Sequence, residues 1–378
     1  QIKPMSFSLF NFNRISKFLF LLISISLVFQ ACKKDEELIE YIPPVVLYDS
    51  TPYDLQHGTL PTPTIPEDNL LTNQGVELGR MLFYDKQLSG DGTLACAGCH
   101  VQENGFSDTE RFSIGILGLE GGRQAMASFN MLWNNNEFFW DGRAHLLRDQ
   151  AILPIQDSLE MNETLENVVN KLNSSPLYLD QFKRAFGDNE INSLKISLAL
   201  EQFMNSIVSW NSKYDKSERG ELVLSLSEQR GRDLFFEEYN PFFPATSGAD
   251  CVHCHSGNNF ENDLYMNNGL DADADFMDDG RMEVTLNPLD RAKFKVPTLR
   301  NIELTPPYMH DGRFSTLEEV VNHYNEGLVF SSTIDPALEN TRAAGLLLTV
   351  QDKADLVAFL KTLTDTDMTS DPRYASPF

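Results

Sequence analysis

Two pentapeptides carry residue types that make covalent and coordinate bonds: Cys96-Ala97-Gly98-Cys99-His100 and Cys251-Val252-His253-Cys254-His255. Two thiols at this spacing can form thioethers to the two vinyl groups of one haem. The histidine that follows is then placed under the iron as its proximal ligand. Two other chemistries use the same residues. A thioredoxin-like redox pair would follow a strand in a βαβ unit, and no such unit reads from the chain. A zinc site would need both motifs to share one metal, yet each brings its own histidine. The doubled motif points to a di-haem c-type cytochrome: two haem c groups, attached at Cys96, Cys99, Cys251 and Cys254 and ligated by His100 and His255. Whether such haems carry electrons or do chemistry depends on the residues around them.

The elements that must position the motifs occur twice in one order. Asn73 to Tyr84 has helical spacing, with Val76, Gly79 and Phe83 on one face, and the loop Leu88-Ser89-Gly90-Asp91-Gly92 leads into the first motif. Residues 228–236 are also helical, with Ser225 and Glu228 as a capping box, and a Pro/Gly-containing loop leads into Cys251. Downstream, Trp140-Asp141-Gly142-Arg143 is echoed by His310-Asp311-Gly312-Arg313. This is an internal duplication. Few β-branched runs and many Gly/Ser/Asn turns argue against a sheet. The expected fold class is all-α: two tandem cytochrome c-like helical domains, residues 67–215 and 216–378, each binding one covalent haem. Between them residues 193–210 read as a long buried helix, and the boundary falls in the polar cluster at 213–220. The acidic stretch 271–279 lacks the glycine and terminal glutamate of an EF-hand loop and reads as a solvated loop.

Composition narrows the partners. The formal net charge of −25 makes nucleic acid an unsuitable partner and suits a basic redox protein, whose encounter it would steer. Of the five cysteines, the one outside the motifs is Cys32. It closes an apolar run, residues 18–29, preceded by Arg14 and Lys17. The run is short for a bilayer span and has the length of a signal-peptide core. Ala31-Cys32 resembles a bacterial lipoprotein cleavage site, with Cys32 as lipid anchor; an ordinary cleaved signal peptide is the competing reading. The expected layout is a signal peptide over 1–31 and a tether with a Pro-rich linker or strap over 32–66. The protein is then exported, to the periplasmic side or the cell surface, and held to a membrane by its lipid.

Longer stretches resemble the bacterial di-haem cytochrome c peroxidase family, which includes the di-haem enzyme that matures the tryptophan-derived quinone of methylamine dehydrogenase. They are Leu78-Gly79-Arg80, Leu88 to Gly92, Phe139-Trp140-Asp141-Gly142-Arg143-Ala144, Glu160-Met161, Phe294-Lys295-Val296-Pro297-Thr298-Leu299-Arg300-Asn301 and Pro307-Tyr308-Met309-His310-Asp311-Gly312-Arg313. The resemblance runs from about Leu70 to about Leu363. It implies that peroxide reacts at the N-terminal haem, with Glu160 as distal acid, Gln150 as a second distal residue and Trp140 between the haems. It also implies a calcium ion between the halves, held by carbonyls of Thr305 and Pro307, with Gln124 where the family has asparagine. Two departures stand out. Ile116 occupies the place of a histidine that caps the first iron in many members, so that iron is expected to be open when oxidised. Tyr324 occupies the place of the methionine that most members supply to the second iron, as in the quinone-maturing enzyme. Leu317, Val320, Val321 and Tyr324 share one helical face behind a Ser315–Glu318 capping box, with His323 off it. Met309 is the competing ligand. His57 and His145 match no ligand position, and His253 is expected to face solvent or a propionate.

On this resemblance the chain is a peroxidase reducing hydrogen peroxide to water, with electrons passed from a small cytochrome or copper protein through the second haem. A homodimer is compatible with it. The alternatives are an oxidase drawing electrons from residues of a partner protein, and a di-haem electron carrier without catalysis. The anchor is the simplest expectation to check: Cys32→Ser should move the protein from the membrane fraction to the soluble fraction on cell fractionation. Sedimentation of the variant with membranes would refute lipidation at Cys32.

Overall fold

The first motif follows a helix that forms where the apolar period predicts it. α1 is Asn73–Tyr84; the Thr72 hydroxyl caps it by accepting from Gly75 N at 3.0 Å, and Val76, Gly79 and Phe83 are buried on it together with Leu78 and Leu82. A computed structural model describes residues 45–243 and 246–378. The expected signal peptide, Cys32 and the acidic run after it lie outside the described residues. After the first motif come α2 (Leu147–Gln156), α3 (Leu165–Asn173), α4 (Pro176–Phe186), α5 (Ser193–Ser206) and α6 (Lys213–Glu218). The second half has α7 (Leu226–Phe236), α8 (Leu317–Asn322), α9 (Val350–Lys361) and α10 (Thr366–Ser370).

The duplication is written into the backbone. α1 crosses α5 so closely that a Cβ on Gly79 would lie 1.9 Å from the Ala199 carbonyl oxygen; α7 crosses α9 so that a Cβ on Gly231 would lie 1.9 Å from the Asp355 carbonyl oxygen. Positive φ recurs at matching places: Phe106 and Phe260, Asn130 and Asn301, Phe139 and Met309, Gly142 and Gly312. Each half has its own apolar core. One gathers Phe83, Phe106, Ile155, Phe182 and Phe203; the other gathers Phe235, Phe260, Leu317, Val321 and Phe359. Met368 and Tyr374, near the C-terminus, pack into the first core.

The structure departs from the sequence reading in four places, and one helix, α6, lies where the sequence reading set only a boundary. The fold is helix-rich but not purely helical: Tyr265–Met266 (β1) and Phe294–Lys295 (β2) pair antiparallel. α5 ends at Ser206, not at Trp210, because the following backbone finds partners outside the helix: Ile207 O accepts from Asn130 N at 2.9 Å, and Ser209 N donates to Asn130 Oδ1 at 2.8 Å. The polar cluster after it contains α6, whose Ser212–Asp215 capping box is buried and whose Asp215 pairs with Arg300 at 2.8 Å. The capping box before Tyr324 is Thr316–Glu319, one residue later than expected, and α8 runs into a π-turn over His323–Gly327. The acidic loop is not simply solvated: Asp271 pairs with Arg313 at 2.6 Å, Asp278 with Arg123 at 2.7 Å and Asp279 with Arg291 at 2.7 Å.

The helix crossings give a direct stability test. At Gly231 the obstacle to a side chain is main chain, which cannot rotate away. Gly231→Ala should lower stability by about 1–3 kcal/mol through overpacking, read as a lower denaturant midpoint at unchanged m-value. An unchanged midpoint would show that the crossing has room for a methyl group.

Candidate active site

Each C-x-x-C-H motif is a single 3-10 turn, Cys96–Gly98 and Cys251–His253, closed by His100 N to Cys96 O at 3.0 Å and His255 N to Cys251 O at 2.9 Å. A cavity of about 1010 Å³ runs along both motifs and is lined by Cys99, His100, Cys251, Cys254 and His255. A smaller cavity of about 50 Å³ shares Cys99 and His100 as walls and adds Cys96. The ring nitrogens are sorted by their partners. His100 Nδ1 lies 3.0 Å from Phe106 O, and His255 Nδ1 lies 3.1 Å from Phe260 O and 3.2 Å from Pro297 O. A carbonyl only accepts, so Nδ1 carries the proton and Nε2 keeps its lone pair, the usual orientation of a metal-bound histidine. Burial pushes the His100 ring down and the His255 ring down to about 4, a direction that favours the neutral imidazole at each. Paired thiols beside a neutral, carbonyl-oriented imidazole on one cavity are the donor set that a covalent haem requires.

In the first half, Gln150 from α2 and Glu160 from the turn after it line both cavities together with His100. Burial, reinforced by Asp157 and partly offset by Arg143, pushes the Glu160 carboxyl up to about 7. Its backbone is clamped: Ile116 N donates to Glu160 O at 2.9 Å, and a Cβ on Gly115 would lie 2.1 Å from Leu159 O. Ile116 itself lines neither cavity. Ser113, Ile114 and Gly115 do line the smaller one, and among the described residues His100 is the one histidine on its wall.

The halves meet at their Asp-Gly-Arg turns. Trp140, which is 9% exposed, donates from Nε1 to Gln124 O at 2.8 Å, and its own carbonyl accepts from Lys295 N at 2.7 Å. The counterpart bond is Gln124 N to His310 O at 2.8 Å. Arg281 donates to the carbonyls of Asp141 and Gly142 at 2.9 and 3.0 Å, and Arg111 donates to Asp311 O at 2.8 Å. Trp140 lines the larger cavity, as do Gln124, Thr305 and Pro307. The Gln124 side-chain nitrogen is committed to Ser107 Oγ at 3.0 Å, which leaves its Oε1 as the atom to offer a cation.

In the second half Tyr324 lines the cavity with Leu317, Val320 and Val321, and so does Met309. The two converge on one amide: Asn268 Nδ2 lies 3.4 Å from the Tyr324 hydroxyl and 3.1 Å from Met309 Sδ. Burial holds the Tyr324 phenol well above its ordinary range, with Asn268 pulling the other way. His323 points elsewhere, with Nε2 2.9 Å from Asn268 O. His145 and His253 are exposed, and His57 Nδ1 bonds Leu60 O at 2.9 Å. Three residues at the site carried no assigned role in the sequence. Asn268 carries no motif signal. Arg143 stacks on Phe139 at 3.6 Å, within the repeated turn. Lys295 lines the larger cavity from within the stretch Phe294 to Asn301.

Comparison with known proteins follows the same lines. A model of the di-haem cytochrome c peroxidase family matches residues 73–222. Cytochrome c551 peroxidase of Nitrosomonas europaea is 36% identical over 291 residues, 76% of this chain and 79% of that protein. The methylamine utilization protein MauG of Methylorubrum extorquens is 34% identical over 300 residues, 79% of this chain and 80% of that one. Among solved structures, a MauG-like protein associated with microbial copper homeostasis superposes with a TM-score of 0.77 at 33% identity, covering 86% of this chain and 99% of the other.

Proposed function

Because the chain belongs to the di-haem cytochrome c peroxidase family, and is therefore an oxidoreductase with two c-type haems, we propose that it reduces hydrogen peroxide to water beside His100. The electrons come from a small cytochrome or copper protein by way of the haem at Cys251, Cys254 and His255. The observation that carries this reading is a half-buried carboxyl, Glu160, on the same cavity wall as His100 and the first pair of thiols. When bound, the first haem supplies the redox-active iron on which a peroxide is cleaved.

The chain's own residues handle the protons and the geometry. Peroxide cleavage needs a proton moved from one oxygen to the other. A carboxyl pushed to about 7 is poised to take and return it near neutral pH. The hydrogen bond from Ile116 N holds the main chain of Glu160 in place. Gln150 offers an amide on the same wall to orient the substrate, and Arg143 supplies the positive field that limits the upward push on Glu160. Trp140 bonds to main chain of both halves and lines the cavity that they share, the place for a relay. In this reading Cys32 anchors the exported protein to a membrane and a calcium ion sits at Gln124, Thr305 and Pro307.

One observation favours the second reading, an oxidase acting on residues of a partner protein. The Tyr324 hydroxyl reaches the second half of the cavity, 3.4 Å from Asn268 Nδ2. An anionic oxygen ligand at the second iron would lower its potential relative to methionine and make it a poor acceptor from ordinary donors. Steady-state peroxide turnover with reduced cytochrome c as donor tests this: brisk turnover supports the peroxidase, no turnover together with a spectral change that persists after peroxide addition supports the oxidase, and no response to peroxide at all supports an electron carrier.

Glu160→Gln should keep both haems and lose about 10²–10⁴-fold in the rate of reaction with peroxide. The wild-type rate should rise with pH through about 7, as the proton-accepting carboxylate forms, and then level off, while the variant shows no such step. Stopped-flow mixing with peroxide measures both, and a wild-type rate in Glu160→Gln would remove this residue from the reaction.

With Ile116 in the capping position, the oxidised protein should show one high-spin and one low-spin haem and react with peroxide without prior reduction. Tyr324→Phe should perturb the low-spin signal alone. Two low-spin haems in the oxidised wild type would mean that another residue caps the first iron. An unchanged low-spin signal in Tyr324→Phe would assign the second iron to Met309 or another group.

A further inference from the structure

Two side chains able to bind a metal meet at one amide in the second half. Asn268 Nδ2 lies 3.1 Å from Met309 Sδ and 3.4 Å from the Tyr324 hydroxyl. The sulfur and the oxygen therefore cannot be farther apart than those two distances laid end to end. Met309, Tyr324 and His255 line one cavity, and neither Met309 nor Tyr324 is fully buried. The Cys251 and Cys254 sulfurs are close enough to the phenol to act on it electrostatically. A haem tied to those sulfurs lies within reach of both donor atoms. The amide between them is fixed from behind, where His323 Nε2 donates to Asn268 O at 2.9 Å.

The two atoms suit different oxidation states. A phenolate is hard and anionic and stabilises ferric iron. A thioether is soft and neutral and stabilises ferrous iron, which raises the potential. The backbone allows both to serve. Tyr324 sits in the π-turn His323–Gly327, wider by one residue than an α turn. Met309 has an unbranched side chain with three rotatable bonds, on a turn held by Gly312 N to Met309 O at 3.2 Å. We propose that the second haem exchanges its sixth ligand with its oxidation state: Tyr324 on the ferric iron, Met309 on the ferrous iron, and Asn268 holding whichever is off the metal. On reduction one electron from the electron-donor protein enters the iron. The bond to the Tyr324 oxygen breaks, the phenolate takes one proton from water, and a bond from Met309 Sδ forms. Oxidation reverses each step. The released phenol keeps its proton, because burial holds it well above its ordinary range. The proposal rests on the reading of a covalent haem at Cys251, Cys254 and His255 with Tyr324 facing its iron. It adds what an oxygen ligand alone lacks, since the arriving thioether stabilises the electron once it is there.

The test uses no peroxide, so its failure is distinct from failure of the peroxidase reading. Haem content of the wild type comes first: fewer than two haems per chain would end the haem assignment and the proposal together. With two haems attached, the protein is compared fully oxidised and after reduction with dithionite, by absorption and magnetic circular dichroism. The oxidised second haem should be low-spin without a thioether-to-iron charge-transfer band, and the reduced second haem should be low-spin as well. Met309→Leu should leave the oxidised spectrum as it is and turn the reduced second haem high-spin. Its oxidised-to-reduced ratio should rise about tenfold at fixed potential, a fall of about 59 mV for a one-electron couple. Tyr324→Phe should bring the charge-transfer band into the oxidised spectrum and leave the reduced spectrum alone. A thioether band in the oxidised wild type, or a high-spin second haem in the reduced wild type, would overturn the proposal. So would a reduced Met309→Leu spectrum, or an oxidised Tyr324→Phe spectrum, identical to that of the wild type. The first two results are read on the unmodified protein, so the proposal stays open to refutation even if neither variant retains its haems.

Discussion

The structure depends on a reciprocal pair of main-chain hydrogen bonds at the seam between its halves. Lys295 N donates to Trp140 O at 2.7 Å, and Gln124 N donates to His310 O at 2.8 Å. Each joins one half to the residue just before the other half's Asp-Gly-Arg turn. A single such bond contributes about 0.5–1.5 kcal/mol net, but leaving either buried group unpaired costs more. The arginines repeat the exchange: Arg281 caps the first turn and Arg111 the second. Glycine is required at both turns, since a Cβ on Gly142 would lie 1.9 Å from the Tyr265 hydroxyl and one on Gly312 would lie 2.9 Å from Arg111 Cγ, with φ positive at each. Two separate cores are thereby held with their C-x-x-C-H turns along one cavity, and Trp140 is bonded to both halves at once.

The same backbone carries different chemistry in its two copies. Phe139 and Met309 occupy matching positions with φ of 70° and 75°. In the first copy that position gives Arg143 an aromatic face to stack on. In the second it carries a thioether sulfur 3.1 Å from Asn268 Nδ2. Trp140 donates to Gln124 O, whereas its counterpart His310 stacks on Phe294 at 3.6 Å. The first copy gathers a carboxyl and an amide beside a histidine; the second gathers a phenol, a thioether and an ammonium. The two copies thus present different side chains to the cavity from matching positions. That division follows from side chains alone, because the fold treats the halves alike.

What was legible in the sequence was what is local. The C-x-x-C-H motifs, α1, the Ser225–Glu228 box and the doubled Asp-Gly-Arg motif are set by residues within a few positions of one another. The misreadings share the opposite property. α5 stops at Ser206 because Asn130, distant in sequence, takes over the backbone that follows. The acidic loop 271–279 looked solvated because Arg123 and Arg313 lie far along the chain. β1 and β2 are two residues each, too short for a period to show. The burial of Lys295 could not be read at all, since nothing in a sequence states that a lysine is buried. The family positions of Glu160 and Tyr324 named those residues, but only the fold shows that one is clamped beside His100 and the other shares an amide with Met309.

The clamp on Glu160 clarifies what isoleucine at position 116 changes. The loop from Ser113 to Leu119 folds back on itself through Gly115 N to Leu119 O and reaches Glu160 through Ile116 N, a bond of 2.9 Å. That contact is made by main chain. Any residue other than proline, which lacks the N–H, would supply it. The Ile116 side chain lies beside Gly90 and not on the cavity wall. A histidine at this position could leave the loop to reach a metal only by moving main chain that also positions the acid. With isoleucine no such competition arises: the loop bonds Glu160 O through Ile116 N, and the Ile116 side chain stays off the cavity wall.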